Sequence, residues 1–268
     1  MAKVVLISGA SSGLGKATAN LLADQGYVVY GTCRDPKQYD TPKNYSLLPL
    51  DLNHNSSIEK TVNTVIEQEQ RLDILINNAG AGIIGPMEEL EATALRDHFE
   101  TNCFGPLYLI QRVLPQMRLQ NNGFIINITS IGASMGLPFR GAYSASKGAL
   151  SLLTEALRME TKPFGVKICT LAPGDFVSDI ASRRYYAPQK KQSPYEAIYK
   201  QNLDTIDEHV SSGIQPENIA YKISYILTQK NPKVHYRVGA PLQKFSVVLK
   251  GLIPSRWFEK LIQKFYNL

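Results

Sequence analysis

Short apolar runs and longer stretches with helical spacing alternate along the chain. Val4–Ile7 is a continuous apolar run that predicts a buried strand, and residues 14–25 have the spacing of an amphipathic helix. Further strands are predicted over residues 27–30, 45–50, 72–76, 124–128, 166–171 and 234–238. Further helices are predicted over residues 56–70, 92–117, 143–162, 219–227 and 255–266.

This alternation predicts βαβ units and a parallel sheet in a single α/β domain. The predicted strands are apolar throughout, as expected for central parallel strands that are covered on both faces. No internal repeat or Gly/Ser linker divides the chain. We expect residues 1–240 to form the main domain and residues 241–268 to form a basic amphipathic tail. The polar segment 179–215 is expected to be a long functional loop beside the sheet.

Composition and charge narrow the class of protein. The chain has 268 residues, of which 44% are hydrophobic, and this excludes a disordered protein. Three widely separated cysteines favour a reducing compartment. The net charge is +6, but residues 233–268 hold seven basic residues and one acidic residue, which leaves the rest balanced. An excess confined to the tail does not predict a nucleic-acid partner. With no signal-peptide pattern and no apolar run that could span a membrane, we expect a cytoplasmic protein. The sequence predicts no metal site.

A glycine-rich stretch, Ser8-Gly9-Ala10-Ser11-Ser12-Gly13-Leu14-Gly15, joins the first predicted strand to the first predicted helix. Glycines let the backbone turn tightly and approach a phosphate, and the helix N-terminus offers free N–H groups to the anion. The stretch therefore favours a dinucleotide site over an ordinary strand-to-helix turn. It also matches the Gly-x-Ser-x-Gly elbow of hydrolases. That elbow needs preceding strands, and only eight residues precede Gly9.

The end of the second predicted strand bears on the choice of dinucleotide. An NAD site usually places a carboxylate here to bind the ribose 2′-hydroxyl, whereas this chain has Cys33 followed by Arg34. A guanidinium can pair with a 2′-phosphate, so NADP(H) is favoured over NAD(H). The alternative is that Arg34 is a solvated loop residue paired with Asp35.

Tyr143 and Lys147 lie four residues apart, on one face of a predicted helix. An ammonium group beside a phenol lowers the phenol pKa and makes it a usable acid and base. The alternative is an ordinary surface pair. Ser130 closes a predicted strand, where its hydroxyl could bind a substrate oxygen or only cap a turn. Asn102 lies inside a predicted helix, where asparagine is unfavourable, and its alternative is a polar contact on an exposed face.

Together with Asp51-Leu52, Asn77-Asn78-Ala79-Gly80 and Pro173-Gly174, these motifs resemble the compact form of the short-chain dehydrogenase/reductase family. The resemblance extends over about two thirds of the chain. Ser8 and Ser178 stand where the family usually has threonine. The resemblance implies a Rossmann-type, doubly wound parallel sheet in three layers. It also implies an NADP(H)-dependent oxidoreductase that interconverts a carbonyl and an alcohol.

The resemblance implies a role for each matching residue. Tyr143 is expected to protonate the carbonyl oxygen and Ser130 to hold it. Lys147 is expected to bind the nicotinamide ribose and lower the Tyr143 pKa, and Asn102 to support a proton-relaying water. The expected cofactor contacts are Gly9, Ser11, Ser12, Gly13, Leu14, Gly15, Arg34, Asp51, Leu52, Asn78, Ala79, Gly80, Tyr143, Lys147, Pro173, Gly174 and Ser178. A homodimer or homotetramer built on the helices of Asn102 and Tyr143 is also implied.

Aromatic residues near the expected pocket indicate a bulky apolar substrate, with general packing as the alternative. They are Phe139, Phe176, Tyr185, Tyr186 and Tyr195. The alternative function is a sensor or scaffold that binds NADP(H) without catalysis. A sensor would have no need of the complete set Ser130, Tyr143 and Lys147.

The predicted helix over residues 255–266 carries an apolar stripe, with basic residues on its other side. The stripe consists of Trp257, Phe258, Leu261, Ile262 and Phe265. Three interpretations are open. The stripe could pack on the body of the protein. It could form a hydrophobic mouth over the site or a subunit contact. It could also lie on an anionic membrane surface.

Overall fold

Nine strands, all paired in parallel, are described by the computed structural model, which covers residues 2–177, 184–188, 192–211 and 213–268. The strands are β1 (Val4–Ile7), β2 (Val28–Cys33), β3 (Ser46–Pro49), β4 (Ile74–Asn77), β5 (Ile83–Ile84), β6 (Gly123–Ile128), β7 (Val166–Pro173), β8 (Tyr185–Tyr186) and β9 (His235–Val238). Seven of them form one sheet in the order β3-β2-β1-β4-β6-β7-β9, and β5 pairs with β8 separately.

Helices cover both faces of the seven-stranded sheet. They are α1 (Gly13–Asp24), α2 (Asn55–Glu69), α3 (Ala92–Phe99), α4 (Gly105–Leu119), α5 (Gly141–Thr161), α6 (Glu196–Ser211), α7 (Pro216–Leu227), α8 (Pro241–Leu252) and α9 (Ser255–Phe265). Successive side chains of a strand point to opposite faces. Val5 and Ile7 of β1 therefore pack with α1 and α7, while Val4 and Leu6 pack with α2 and α4. This is the three-layer, doubly wound Rossmann-type domain that the sequence predicted.

The strand order places the motif loops at one edge of the sheet. β1 pairs with β2 on one side and with β4 on the other. The sheet therefore grows outward from β1 in one direction through β2 and β3 and in the opposite direction from β4 onward, which makes the position between β1 and β4 a topological switch point. In open parallel sheets, ligands bind outside the carboxyl ends of the strands at such a switch point. The glycine-rich loop follows β1 and the Asn78-Ala79-Gly80 loop follows β4, so both lie at this point.

The predicted continuous helix over residues 92–117 is wrong. The structure has α3, then the π-helical turn Glu100–Phe104, then α4. The cause can be read from the sequence, because Pro106 has no N–H to donate to the carbonyl of Asn102, four residues earlier. The backbone N–H of Gly105 bonds instead to the carbonyl of Glu100, five residues back. The turn falls at a residue predicted to be functional, as such turns often do.

Two expectations for the C-terminal third are also corrected. The segment 179–215 is not one long loop, because it contains β8 and the helix α6, whose Tyr199 and Ile206 are buried. The tail is two helices rather than one, since α8 precedes the predicted α9. Of the helices in the described ranges, none has both the length and the apolar character needed to cross a membrane.

Candidate active site

Two cavities adjoin at the carboxyl edge of the sheet. A cleft of about 670 Å³ runs along the loops after β1, β2, β3 and β4. A smaller pocket of about 50 Å³ lies beside it, between β5 and the end of β7. Thr129, Tyr143 and Phe176 line both cavities. Tyr143 therefore stands where a ligand in the cleft and a ligand in the pocket would meet.

The glycine-rich loop forms one wall of the large cleft. Gly13, the first residue of α1, has φ +52°, and a Cβ at that position would meet no atom within 4 Å. A Cβ on Gly15 would instead collide with the carbonyl oxygen of Gly9. The loop is thus open toward the cleft and tightly packed behind it, as phosphate binding at a helix N-terminus requires. The predicted contacts of this loop that line the cleft are Gly9, Ser11, Ser12, Gly13, Leu14 and Gly15.

Hydrogen bonds join this loop to the one that follows β4. The Ser8 hydroxyl accepts from the backbone N–H groups of Asn78 and Ala79, both at 3.0 Å. The Asn78 side-chain amide donates in return to the carbonyls of Ser8 and Gly9. The Ser8 hydroxyl, at the position where the family usually has threonine, therefore joins the loop after β1 to the loop after β4. Asn78, Ala79 and Gly80 all line the cleft, and their contact with a cofactor stays a prediction.

The far end of the cleft contains the residues that were expected to face the adenosine half of a dinucleotide. Arg34, Asp51 and Leu52 line it, and Arg34 is exposed immediately after β2. The carboxylate of Asp35 accepts from the backbone N–H of Lys37 and from the side-chain amide of Gln38. Asp35 is thus engaged within its own turn, and the Arg34 guanidinium lies at the rim of the cleft.

A buried chain of hydrogen bonds holds α5 against the sheet. The side-chain amide of Asn77, at the end of β4, donates to Asn127 of β6 at 2.8 Å. The Asn127 amide donates onward to the Thr154 hydroxyl of α5, also at 2.8 Å. Oδ1 of Asn77 has no hydrogen-bond partner, but the two directed bonds still restrict how the three elements can be arranged. Tyr143 and Lys147 lie on this same helix, and the network therefore sets their height above the strand ends.

Lys147 is almost fully buried beneath the cleft. Its Nζ donates to the carbonyl of Ile128, the last residue of β6, at 3.0 Å. Burial lowers the Lys147 pKa to about 8, because the ammonium loses most of its hydration. A Cβ on Gly80 would lie 3.1 Å from this Nζ and 3.1 Å from Oδ1 of Asn102. Glycine at position 80 thus lets the β4 loop pass close over both polar groups.

The turn-capping interpretation of Ser130 is confirmed, and its binding of a substrate oxygen stays a prediction. Its Oγ accepts from the backbone N–H of Gly132 at 3.1 Å and so caps a short turn. It also lines the small pocket with Tyr143. These functions are compatible, because a hydroxyl that accepts one hydrogen bond still has its own hydrogen to donate.

Asn102 is fully buried, so the exposed-face alternative is wrong. Its Oδ1 accepts from the backbone N–H of Ala81 at 2.8 Å, and its Nδ2 donates to the Ala81 carbonyl at 2.9 Å. The side-chain amide therefore makes a two-bond contact with the loop after β4. Nδ2 also lies 3.1 Å from Nε2 of His98, one turn earlier.

His98 is a buried site residue that the sequence prediction missed. Both Nδ2 of Asn102 and Oγ of Ser146 lie 3.1 Å from its Nε2. Burial and the Lys147 charge lower the His98 pKa to about 4. Its position four residues before Asn102, on the same helix face, was the available sequence signal.

Arginine and carboxylate groups line the small pocket, and sequence analysis did not identify them. Pro173 and Gly174, two predicted cofactor contacts, line this small pocket and not the large cleft. The third predicted contact in this part of the chain, Ser178, lies outside the described residues. The pocket also contains Arg140, Asp175 and Arg184. These three groups lie far apart in the chain, so no motif marks them.

The C-terminal tail reaches the same pocket. The Gln243 amide of α8 donates to the Asp175 carboxylate at 2.6 Å. Tyr266, just after α9, is buried and hydrogen-bonded to Arg140, whose guanidinium lies 5.6 Å from the centre of the Tyr143 ring. The tail therefore braces two charged groups of the pocket wall.

A family model described as short chain dehydrogenase matches residues 3–188 of the chain. The chain belongs to the short-chain dehydrogenase family. It is 36% identical over 267 residues to a 3-ketodihydrosphingosine reductase of Bacteroides thetaiotaomicron, covering 99% of this chain and 98% of that protein. It is 29% identical to an NADPH-dependent 3-dehydrocapnine reductase of Ornithobacterium rhinotracheale, covering 98% and 96%. A short-chain dehydrogenase structure from Streptomyces avermitilis has 31% identity and a TM-score of 0.83, covering 100% and 97%.

Membership of the short-chain dehydrogenase family confirms the predicted enzyme class, an oxidoreductase that interconverts carbonyl and alcohol groups. It also confirms the predicted fold, since the similarity to the Streptomyces structure extends over the whole chain. The family model ends at residue 188, before the tail. The similarity to the Bacteroides and Ornithobacterium proteins covers 99% and 98% of the chain and therefore includes the tail that braces the pocket.

Proposed function

We propose that the protein is an NADP(H)-dependent reductase of a long-chain amino ketone, with Tyr143 as the proton donor. The observation that carries the proposal is the position of Tyr143, which lines both the large cleft and the small pocket. A proton donor for hydride transfer needs this position, because cofactor and carbonyl must meet beside it.

The large cleft fits a dinucleotide in volume and in chemistry. Its volume of about 670 Å³ lies within the usual range of ligand sites, and the open glycine turn at the start of α1 suits a pyrophosphate. Arg34 would pair with a 2′-phosphate, and the name of the Ornithobacterium relative records NADPH dependence. Bound NADPH would supply the hydride. Gly13 and Gly15 would hold the phosphates, and Asp51 and Asn78 the adenosine half.

Two side chains of the enzyme would handle the proton and the substrate oxygen, and a third would hold the cofactor beside them. The Tyr143 hydroxyl donates its proton to the carbonyl oxygen as that oxygen gains negative charge. The Ser130 hydroxyl donates a hydrogen bond to the same oxygen and holds it in place. Lys147 lines the large cleft one turn further along α5 and would hold the nicotinamide ribose.

Asn102 would support reprotonation of Tyr143 through its main chain. Its side-chain amide is occupied by Ala81 and His98. Its carbonyl receives no α-helical N–H, because the donor position is Pro106. We therefore assign the expected water-binding role to this carbonyl, and to the amide the positioning of the loop that carries Gly80.

The substrate class follows from the pocket and from the relatives together. The Bacteroides relative is named for 3-ketodihydrosphingosine, a long-chain ketone with an amine on the neighbouring carbon. In the small pocket, the Asp175 carboxylate would pair with such an ammonium group, and Ile83 and Ile84 provide apolar wall.

The test measures NADPH oxidation with 3-ketodihydrosphingosine. We expect turnover by the wild-type enzyme and a loss of about 10²-fold or more in Tyr143→Phe, the range that general acids contribute. Tyr221→Phe is the matched control, because Tyr221 is exposed on α7, away from both cavities. Wild-type turnover by Tyr143→Phe would contradict the assigned acid. Turnover of a long-chain ketone lacking the amine, at an equal rate, would contradict the substrate class.

A further inference from the structure

Helix α9 presents three parallel rows of side chains, each with a spacing of four residues. One row, Phe258, Ile262 and Tyr266, faces the body of the protein. The next row, Trp257, Leu261 and Phe265, is exposed, and the Trp257 side chain has 71% of its surface accessible. The third row is basic and consists of Arg256, Lys260 and Lys264. Residues four apart share a helix face, so the helix has a buried, an apolar and a cationic strip side by side.

Helix α8 adds more exposed apolar side chains. Leu242, Phe245, Val248 and Leu252 recur at a spacing of three or four residues and are exposed, Leu252 to 73%. With Trp257, Leu261, Phe265 and Leu268, they make up eight large apolar side chains within 27 consecutive residues. We call these eight residues the outer apolar face. Single exposed apolar residues are ordinary, but a cluster of this size marks an interaction surface.

The inner sides of the same helices are already fully used. Phe258 packs on Ile131 and Met135, next to Ser130, and Tyr266 is bonded to Arg140. Gln243 of α8 donates to Asp175. These contacts fix which side of the tail faces outward, so the outer apolar face cannot turn inward without breaking the pocket wall.

The charge around the outer apolar face indicates what covers it. Residues 241–268 hold five basic residues and one acidic residue, a net charge of +4 on 28 residues. A second copy of the chain in a twofold contact would bring two such cationic faces together, which costs free energy. An anionic lipid surface offers complementary charge to the basic row and an apolar layer to the row beside it.

We propose that the outer apolar face of α8 and α9 docks on the surface of an anionic lipid bilayer, with both helices lying in the interface. The helices have 12 and 11 residues and are therefore only about 17–18 Å long, too short to cross a hydrocarbon core of about 30 Å. Docking places the substrate pocket, which the inner side of the same helices braces, close to the membrane. This inference does not depend on the proposed substrate, because lipid binding is measured without it.

Trp257 makes the proposal directly measurable, because it is the only tryptophan in the chain. The full-length protein is mixed with vesicles of equal parts phosphatidylcholine and phosphatidylglycerol, or of phosphatidylcholine alone. With the anionic vesicles we expect co-sedimentation and a shift of tryptophan emission to shorter wavelength, both weakened by high salt. Protein that stays in the supernatant with unshifted emission would overturn the proposal. So would an emission shift that depends on protein concentration and occurs without vesicles, since it would identify a second copy as the occupant.

Variants separate the two components of the surface. Leu261→Ser is expected to weaken vesicle binding about tenfold, the value of burying one such side chain, and Lys260→Glu with Lys264→Glu to abolish the preference for anionic vesicles. Leu119→Ser and Lys60→Glu are the matched controls, because both positions are exposed and lie outside the tail. Circular dichroism checks that each variant is folded. Equal losses in the control variants would overturn the assignment to α8 and α9.

Discussion

The large cleft and the small pocket lie side by side, yet they are built differently. The cleft is formed largely by short loops that directly follow strands, and four glycines line it, Gly9, Gly13, Gly15 and Gly80. The pocket is formed by residues in or next to β5, α5 and β7, by the turn after β6 and by Arg184, and it is braced by residues near the C-terminus. A cleft of the first kind suits a cofactor that stays the same between enzymes with this fold. A pocket of the second kind can change with few substitutions, and substrates differ accordingly between enzymes with the same fold.

The largest expected effect concerns the cofactor side of this comparison. Arg34→Asp replaces a charge-assisted contact to a 2′-phosphate with repulsion, so the preference for NADPH over NADH should fall about 100- to 1000-fold. Fluorescence titration with both dinucleotides measures it. Lys37→Asp is the control, since Lys37 is exposed in the same turn but does not line the cleft. An unchanged preference would support the alternative that Arg34 is a solvated loop residue.

His98 is buried beside Asn102 and Ser146 and should make stability depend on pH. Its pKa is about 4 in the native protein, against about 6.5 in the unfolded chain. Between these values the unfolded state binds more protons, so the stabilisation present above pH 6.5 is lost as the pH falls toward 4, by about 3 kcal/mol. Denaturant unfolding at several pH values should show this slope in the wild type and a flatter one in His98→Gln. The difference between the two slopes is the contribution of His98.

The tight packing behind the glycine loop predicts a third effect. Gly15→Ala places a Cβ against the Gly9 carbonyl, which cannot move without opening the loop. We expect a loss of about 1–3 kcal/mol in the free energy of unfolding, with weakened NADPH binding. Gly251→Ala in α8, where a Cβ meets nothing within 4 Å, should instead stabilise the protein by about 0.5–1 kcal/mol. Equal effects at the two positions would refute the packing argument.

The smallest effect tests the brace of the pocket. Tyr266→Phe removes the hydrogen bond to Arg140 while keeping the ring in place, which should raise KM for the ketone several-fold through a loss of about 1 kcal/mol. NADPH affinity should not change, because neither residue lines the large cleft. A matching loss of NADPH affinity would show that the two cavities are not separately built.

The difference between the cavities also explains what sequence reasoning missed. The π-helical turn at Asn102 has a local cause in Pro106, and His98 lies one turn away, so both were accessible to closer analysis. Asp175 and Gln243 meet only because α8 folds back over the end of β7. No spacing rule links residues 68 positions apart.

The amino-acid sequence by itself determined the α/β class, the glycine-rich turn and the Tyr143–Lys147 pair, because each depends on neighbours within a few residues. The enzyme class followed from the resemblance of these motifs to the short-chain dehydrogenase/reductase family. The tertiary structure decided which groups share a cavity with Tyr143, how Asn102 and His98 are oriented, and which half of the tail's apolar stripe stays exposed. The last point shows the physical reason. Helical spacing places Trp257, Phe258 and Leu261 on one side of α9, but only the fold buries Phe258 and leaves its neighbours accessible.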